Sequence, residues 1–202
     1  MSTIAPPRIV LGLGLAGIHL TPEEFDAVLE VDRDYRYELI NERLIVTPAP
    51  LEAERGPNEE LGHRLLMYRD LHAQGSALDD TLPEQTVITH TNRRRADRVV
   101  WAGLGRHPDP KVDLPTIVAE WVSESKRDWQ RDYVEKMEEY RELGIAEYWI
   151  LDRFRRTLTV YRGTPDAPEA VVIHEGETYR TPLLPGFELP LSPLLAVADR
   201  WG

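Results

Sequence analysis

The stretch "TIVAEWVSESKRDWQRDYVEKMEEYRELGIAEYWILD", Thr116 to Asp152, decides the reading of the chain. Its first seven residues read as a buried strand, yet a carboxylate, Glu120, sits near the centre. Strand alternation puts Glu120 on one face with Val118 and Val122, and Ile117, Ala119 and Trp121 on the other. A carboxylate on an apolar face is costly unless something pairs with it. Arg131 to Leu143 then reads as a helix closed by Gly144. "EYWILD" reads as a strand with apolar residues on both faces, which suggests a central place in a sheet.

On that helix, at about 100° per residue, Tyr133, Met137, Tyr140, Leu143 and Gly144 share one face. Lys136 falls inside it and Asp132 at its edge, one turn earlier. Two readings of Lys136 are open. Its stem can pack while the ammonium reaches water. Alternatively, the ammonium points at strand carboxylates, where it can orient a nucleophilic water or stabilise negative charge on a phosphate. Asp132 can pair with Lys136 across one turn and orient it.

Upstream, "NRRRADRVVWA" (Asn92–Ala102) places Asp97 at the start of an apolar strand, after three arginines and just before Arg98. Arginines here either blunt a solvated strand edge or ring a carboxylate as phosphate contacts. The gap from Asp97 to Glu120 allows strand, loop, strand, so the two carboxylates can lie side by side. They would repel unless a cation lies between them. Magnesium suits that place, since it takes one or two carboxylates, several waters and substrate phosphate.

The remaining segments read outward from this core. Thr21-Pro22-Glu23-Glu24 starts a short helix expected to end near Glu30. "YRYELINERLIV" is a hairpin turning at Asn41-Glu42, where Glu is a poor second residue. Pro57 is expected to open a helix with Leu61, Leu65, Tyr68 and His72 inward, and Gly75 to stop it. A strand around Leu78–Ile88 looks broken by Pro83. "TLTVY" and "AVVIH" read as further strands, and "PLLPGFELPLSPLL" as a tail closing over the core. The core order is helix, three strands, helix, strand, with extra β structure at both ends. A single α/β domain over residues 1–202 is expected, with 1–18 as a lead-in and the core at about 20–195.

Composition excludes several classes. No cysteine is present, which removes disulfide frameworks and cysteine-based zinc sites and suits a reducing cytoplasm. No run approaches a membrane span, and "IVLGLGLAGIHL" does not read as a signal peptide. The six histidines show no metal-motif spacing. "GLGLAG" (Gly12–Gly17) matches a dinucleotide fingerprint, but a new helix starts too soon after it for the fingerprint's own helix to fit. With 24 basic and 35 acidic residues the net charge is −11, which opposes non-specific coating of nucleic acid. It leaves room for an enzyme that holds divalent cations in a carboxylate site.

Together, "YELINERLIV" with "TPAP", "RRRADRVVW", "PTIVAEWVSESKRDWQRDYVEKMEEYRELGIAEYWILD" and "LLPGFELPLSPLL" resemble the Uma family of small bacterial proteins. These are restriction-endonuclease-like members of the PD-(D/E)XK superfamily. The resemblance implies a restriction-endonuclease-like mixed sheet in α-β-β-β-α-β order, in agreement with the order read from the residues. It puts the superfamily aspartate on Asp97 and the following acidic residue on Glu120. The superfamily lysine position, two residues later, is Val122, and Lys136 is its implied replacement on the helix. Glu38, in "YEL", is implied as a further acidic ligand.

The expectation is therefore a magnesium-dependent DNA endonuclease, with manganese as an alternative ion. Asp97, Glu120 and Lys136 are its catalytic residues. Asp97, Glu120 and Glu38 are its metal ligands, and Arg94, Arg95 and Arg98 its phosphate contacts. The rival expectation is a non-catalytic binding or assembly module that keeps the fold. Homodimers are common among small soluble folds, and one is open to this chain.

Overall fold

The computed structural model describes residues 10–122, 129–164 and 167–201; the side chains of residues 129–132 and 164 lie outside the described part. In chain order the elements are β1 (Val10–Leu11), α1 (Pro22–Asp26), β2 (Glu30–Val31), β3 (Tyr35–Ile40), β4 (Arg43–Pro48) and α2 (Glu52–Leu71). There follow β5 (Leu78–Ile88), β6 (Arg93–Ala102), β7 (Ile117–Trp121), α3 (Trp129–Leu143), β8 (Glu147–Asp152) and β9 (Thr157–Thr164). The chain ends with β10 (Ala167–His174), β11 (Thr178–Tyr179), β12 (Leu189–Pro190) and α4 (Leu191–Asp199). Contacts divide it into two compact units. The first joins the residues up to Ala49 with Ile88–Arg95; the second joins Pro50–Val87 with the chain from Ala96 onward.

In the first unit, α1 opens on a reciprocal cap. The Glu24 N–H donates to the Thr21 hydroxyl, and the Thr21 N–H to the Glu24 carboxylate. The helix stops at Asp26 rather than near Glu30, because Glu30 and Val31 pair with Val10 and Leu11 as a short parallel ladder. Leu11, Leu20, Leu39 and Leu44 are buried together, so the chain from Val10 is built into this core. The "GLGLAG" glycines lead only into a short 3-10 turn, and α1 does not begin until Pro22. β3 and β4 pair from Tyr35↔Pro48 to Ile40↔Arg43.

The connecting residues of that hairpin, Asn41 and Glu42, have φ of 49° and 59°. Two left-handed residues match the twist of the flanking strands, but glutamate tolerates this conformation poorly. That strain, about 1–2 kcal/mol, exceeds the value of about 0.2–1 kcal/mol for an exposed ion pair such as His19–Glu42. Glu42→Gly is accordingly expected to raise stability by about 0.5 kcal/mol net, measured by urea denaturation; a loss would show that the ion pair outweighs the strain.

In the second unit the sheet order is β10-β9-β8-β7-β6, with β5 beside β6. β7 and β8 are parallel, joined by α3, while β6–β7, β8–β9 and β9–β10 are antiparallel. The sequence α2-β5-β6-β7-α3-β8 is the α-β-β-β-α-β order expected of the fold. β8 is buried throughout, between β7 and β9, as its two apolar faces imply. One sheet face carries Ile117, Ala119, Trp121, Trp149 and Leu151, packed with residues of α2 and α4. The other carries Val118, Val122 and Ile150, packed with Tyr133 and Tyr140 of α3. Tyr140 meets Tyr148 edge to face at 5.2 Å.

Four further readings differ from expectation. α2 begins at Glu52, with the Glu54 and Arg55 N–H groups bonding the Leu51 carbonyl, so Pro57 lies inside the helix rather than opening it. α2 ends at Leu71, and Gly75 serves close approach instead of stopping the helix. A Cβ there would come 2.3 Å from the Arg69 carbonyl oxygen and 2.4 Å from that of Tyr68. β5 continues through Pro83, absorbing it with Glu84 at a φ of 50°. The tail forms a helix, α4, whose Leu191, Leu194 and Leu195 are fully buried at i, i+3, i+4 spacing. Among the described residues no helix is long and apolar enough to cross a membrane.

Candidate active site

β6 and β7 pair with Arg98 opposite Ala119, Val99 opposite Val118 and Val100 opposite Ile117. One further step in that register sets Asp97 opposite Glu120. Cross-strand partners point to the same side of a sheet, here the side of Val118 and Val122 that α3 covers. Both carboxylates are buried, Asp97 at 4% and Glu120 at 1% exposure.

What Glu120 faces is Lys136. The ammonium Nζ lies 2.9 Å from Glu120 Oε1, and Lys136 is only 1% exposed. Its charged end therefore does not reach water, and the snorkelling reading falls. Such a pair offsets the desolvation of both ions only because the contact is a direct, charge-assisted hydrogen bond. The helical angle that places Lys136 among Tyr133 and Tyr140 is what sends its side chain into the sheet.

Asp97 is held differently. Its Oδ2 accepts the Trp121 N–H at 2.6 Å. The Trp121 carbonyl in turn accepts the Tyr133 hydroxyl at 3.1 Å. The peptide groups flanking Trp121 are thus gripped by β6 on one side and by α3 on the other, one helical turn before Lys136. The hydroxyl of Tyr133 was not foreseen in this role; its place on the inward face identified it only as a packing residue.

Asp97, Glu120 and Lys136 bring two carboxylates and one ammonium to this face. Among the described residues no cluster of three or more histidine, aspartate or glutamate side chains is set to hold a metal ion. Asp97 and Glu120 alone fit an ion that completes its shell with waters and substrate phosphate, as magnesium does. They do not make a closed protein cage.

Glu38, Arg94 and Arg95 belong to the first unit, where Glu38 Oε1 accepts the Arg95 N–H at 2.8 Å. Arg94 is 1% exposed. The side chain of Asp132 lies outside the described residues. Arg98 corrects its expectation as a phosphate contact: it follows Asp97 directly, so strand alternation sends it to the opposite face. There Nε donates to Asn58 Oδ1 at 2.8 Å and to the Asn58 carbonyl at 3.2 Å, and Nη1 to Thr81 Oγ1 at 3.2 Å. Burial pulls its pKa below the usual arginine value, with the charge of Glu59 opposing that shift. Gly62 of α2 sits directly against the guanidinium.

The profile of the Uma2 family, described as "Putative restriction endonuclease", matches residues 22–192. Among solved structures, the chain is similar to that of "a putative nuclease belonging to DUF820" from Anabaena variabilis. The two are 15% identical, with a TM-score of 0.67, over 89% of this chain and 99% of that one. At that identity the likeness speaks to the fold alone. No curated protein matches the chain. The family match runs from the first residue of α1 into α4, across the strands and helix that carry Asp97, Glu120 and Lys136, and the chain belongs to the Uma2 family of restriction-endonuclease-like proteins.

Proposed function

We propose that the protein is a divalent-metal-dependent phosphodiesterase that cuts DNA as an endonuclease. The observation that carries this reading is the buried Lys136 ammonium, 2.9 Å from Glu120, on the sheet face that also bears Asp97. Asp97 and Glu120 would hold magnesium, or manganese in its place. The ion would supply Lewis-acid charge against the scissile phosphate and a lowered pKa for its water. Glu120 keeps Lys136 fixed. The ammonium would then place its positive charge beside the attacking water or a phosphoryl oxygen, without reorganisation at the moment of reaction. The Trp121 N–H holds Asp97 Oδ2 in place. Because the whole chain carries −11, DNA is drawn by the loaded site rather than by the protein's overall field.

A second reading, a non-catalytic module, draws on Val122 at the superfamily lysine position and on the same −11 charge. Plasmid nicking with magnesium or manganese separates the two. Wild type is expected to nick, and Asp97→Asn and Glu120→Gln to lose at least ~10²-fold in rate. If wild type and Asp97→Asn bind manganese equally weakly and neither cuts plasmid or single-stranded DNA, the module reading takes over.

A further inference from the structure

We infer that Asn58 of α2 is a positioning residue for Asp97, acting through the backbone of β6 from the opposite side of the sheet. Its functional meaning rests on the phosphodiesterase reading; its structural claim does not. Asn58 is 4% exposed, and its side-chain Nδ2 donates to the Asp97 main-chain carbonyl at 2.8 Å. A buried carbonyl needs a donor, and in a sheet that donor is ordinarily a neighbouring strand. Here the neighbour is β5. The Gly103 N–H bonds the Ala77 carbonyl, and the Thr81 hydroxyl bonds the Val99 carbonyl, so β5 runs opposite to β6. Travelling on from Thr81, β5 reaches Pro83, which has no N–H, and Glu84, which is left-handed, as β6 runs back to Asp97. Pro83 has no N–H to give β6 here, and the Asn58 side chain of α2 donates to the Asp97 carbonyl.

Asn58 is itself fixed. Its amide oxygen accepts from Arg98 Nε at 2.8 Å, and Arg98 is tied to Thr81 at 3.2 Å. The amide therefore has one orientation, with oxygen toward the guanidinium and nitrogen toward the Asp97 carbonyl. Arg98 acts as a lock on Asn58, and Asn58 as a stop on the peptide that follows Asp97. The other end of the chain of contacts is the carboxylate itself, whose Oδ2 lies 2.6 Å from the Trp121 nitrogen. A tilt of the 97–98 peptide would move that oxygen and loosen the Trp121 N–H.

The Trp121 amide proton is consequently a reporter that needs no metal and no substrate. Amide exchange is read on the full chain, beside calorimetric titration with manganese. Asn58→Asp retains an acceptor for Arg98 but loses the donor to Asp97. It is expected to speed exchange at Trp121 about tenfold, leave Ala119 unchanged, and weaken manganese binding about tenfold. Asn58→Ser, read the same way, serves if the aspartate variant does not fold. Thr81→Val removes a partner of Arg98 and the donor to the Val99 carbonyl, but neither bond of the Asn58 amide, and is expected to lower stability with Trp121 exchange and manganese affinity intact. Asn58 has no positioning role if Asn58→Asp leaves Trp121 as protected as wild type, or if Thr81→Val disturbs it equally. Absence of manganese binding by wild type would count against the phosphodiesterase reading alone, since the Trp121 amide still decides the role of Asn58.

Discussion

Lys136→Met is expected to destabilise the protein by about 3–5 kcal/mol, a large share of the total stability of a domain. The substitution keeps the length of the stem and removes the charge, so Glu120, 1% exposed, loses its ion-pair partner. Most of the cost is a buried carboxylate stripped of that ammonium rather than the lost contact. The double variant Glu120→Gln/Lys136→Met is for that reason expected to regain most of the loss, with an amide and a thioether in place of two ions. Urea denaturation of the two single variants, the double variant and wild type measures the cycle. A double variant as unstable as Lys136→Met would show that packing, and not the uncompensated charge, governs this position. On the phosphodiesterase reading all three variants lose nicking, so recovery of stability without recovery of activity separates folding from chemistry.

The second large effect lies on the other face. Arg98→Met removes a buried cation that donates to Asn58 and Thr81 and leaves the Asn58 amide oxygen without that donor, at a cost of about 2–3 kcal/mol. Its neighbour gives a sharper test of how tightly the guanidinium is held. A Cβ on Gly62 would stand 2.5 Å from both terminal nitrogens of Arg98. Alanine gains about 1 kcal/mol over glycine in a helix interior, whereas overpacking costs about 1–3 kcal/mol. Because hydrogen bonds to Asn58 and Thr81 hold the guanidinium, the clash wins, and Gly62→Ala is expected to lower stability. In an Arg98→Met background the same substitution is expected to be neutral or stabilising. A stabilising Gly62→Ala in wild type would mean that Arg98 yields freely.

Much of this was legible in the chain because two periodicities carried it. Alternation in "TIVAEWV" put Glu120 on the α3 face, and helical angle put Lys136 on the face that meets it. The order of core elements along the chain, helix, three strands, helix, strand, followed from the same patterns. Arg98 was misread although the signal was present: consecutive strand residues face opposite ways, so Asp97 and Arg98 cannot both line one site. Asn58 carried no signal of its role toward Asp97. Its spacing from Leu61 marks it as part of the inward face of α2, but its partner is a backbone carbonyl on a distant strand, and no side-chain pattern encodes that. α4 went unseen behind the prolines at 182, 185, 190 and 193, although Leu191, Leu194 and Leu195 have the helical spacing. Pro57 misled for a related reason: proline marks helix starts on average, and here a turn of helix precedes it.

The βαβ crossover from β7 through α3 to β8 has a bearing on the entropic cost of assembling the site. Glu120 and Lys136 are 16 residues apart, so their contact closes a short loop within one supersecondary unit. The bond from Trp121 to Asp97 spans 24 residues, and that from Asn58 to Asp97 spans 39. Loop-closure entropy rises with span, by about 0.6 kcal/mol for each doubling. The contact of the acid with its lysine therefore closes at the lowest entropic cost of the three. The bond from the α2 side chain to Asp97 closes at the highest, by about 0.8 kcal/mol.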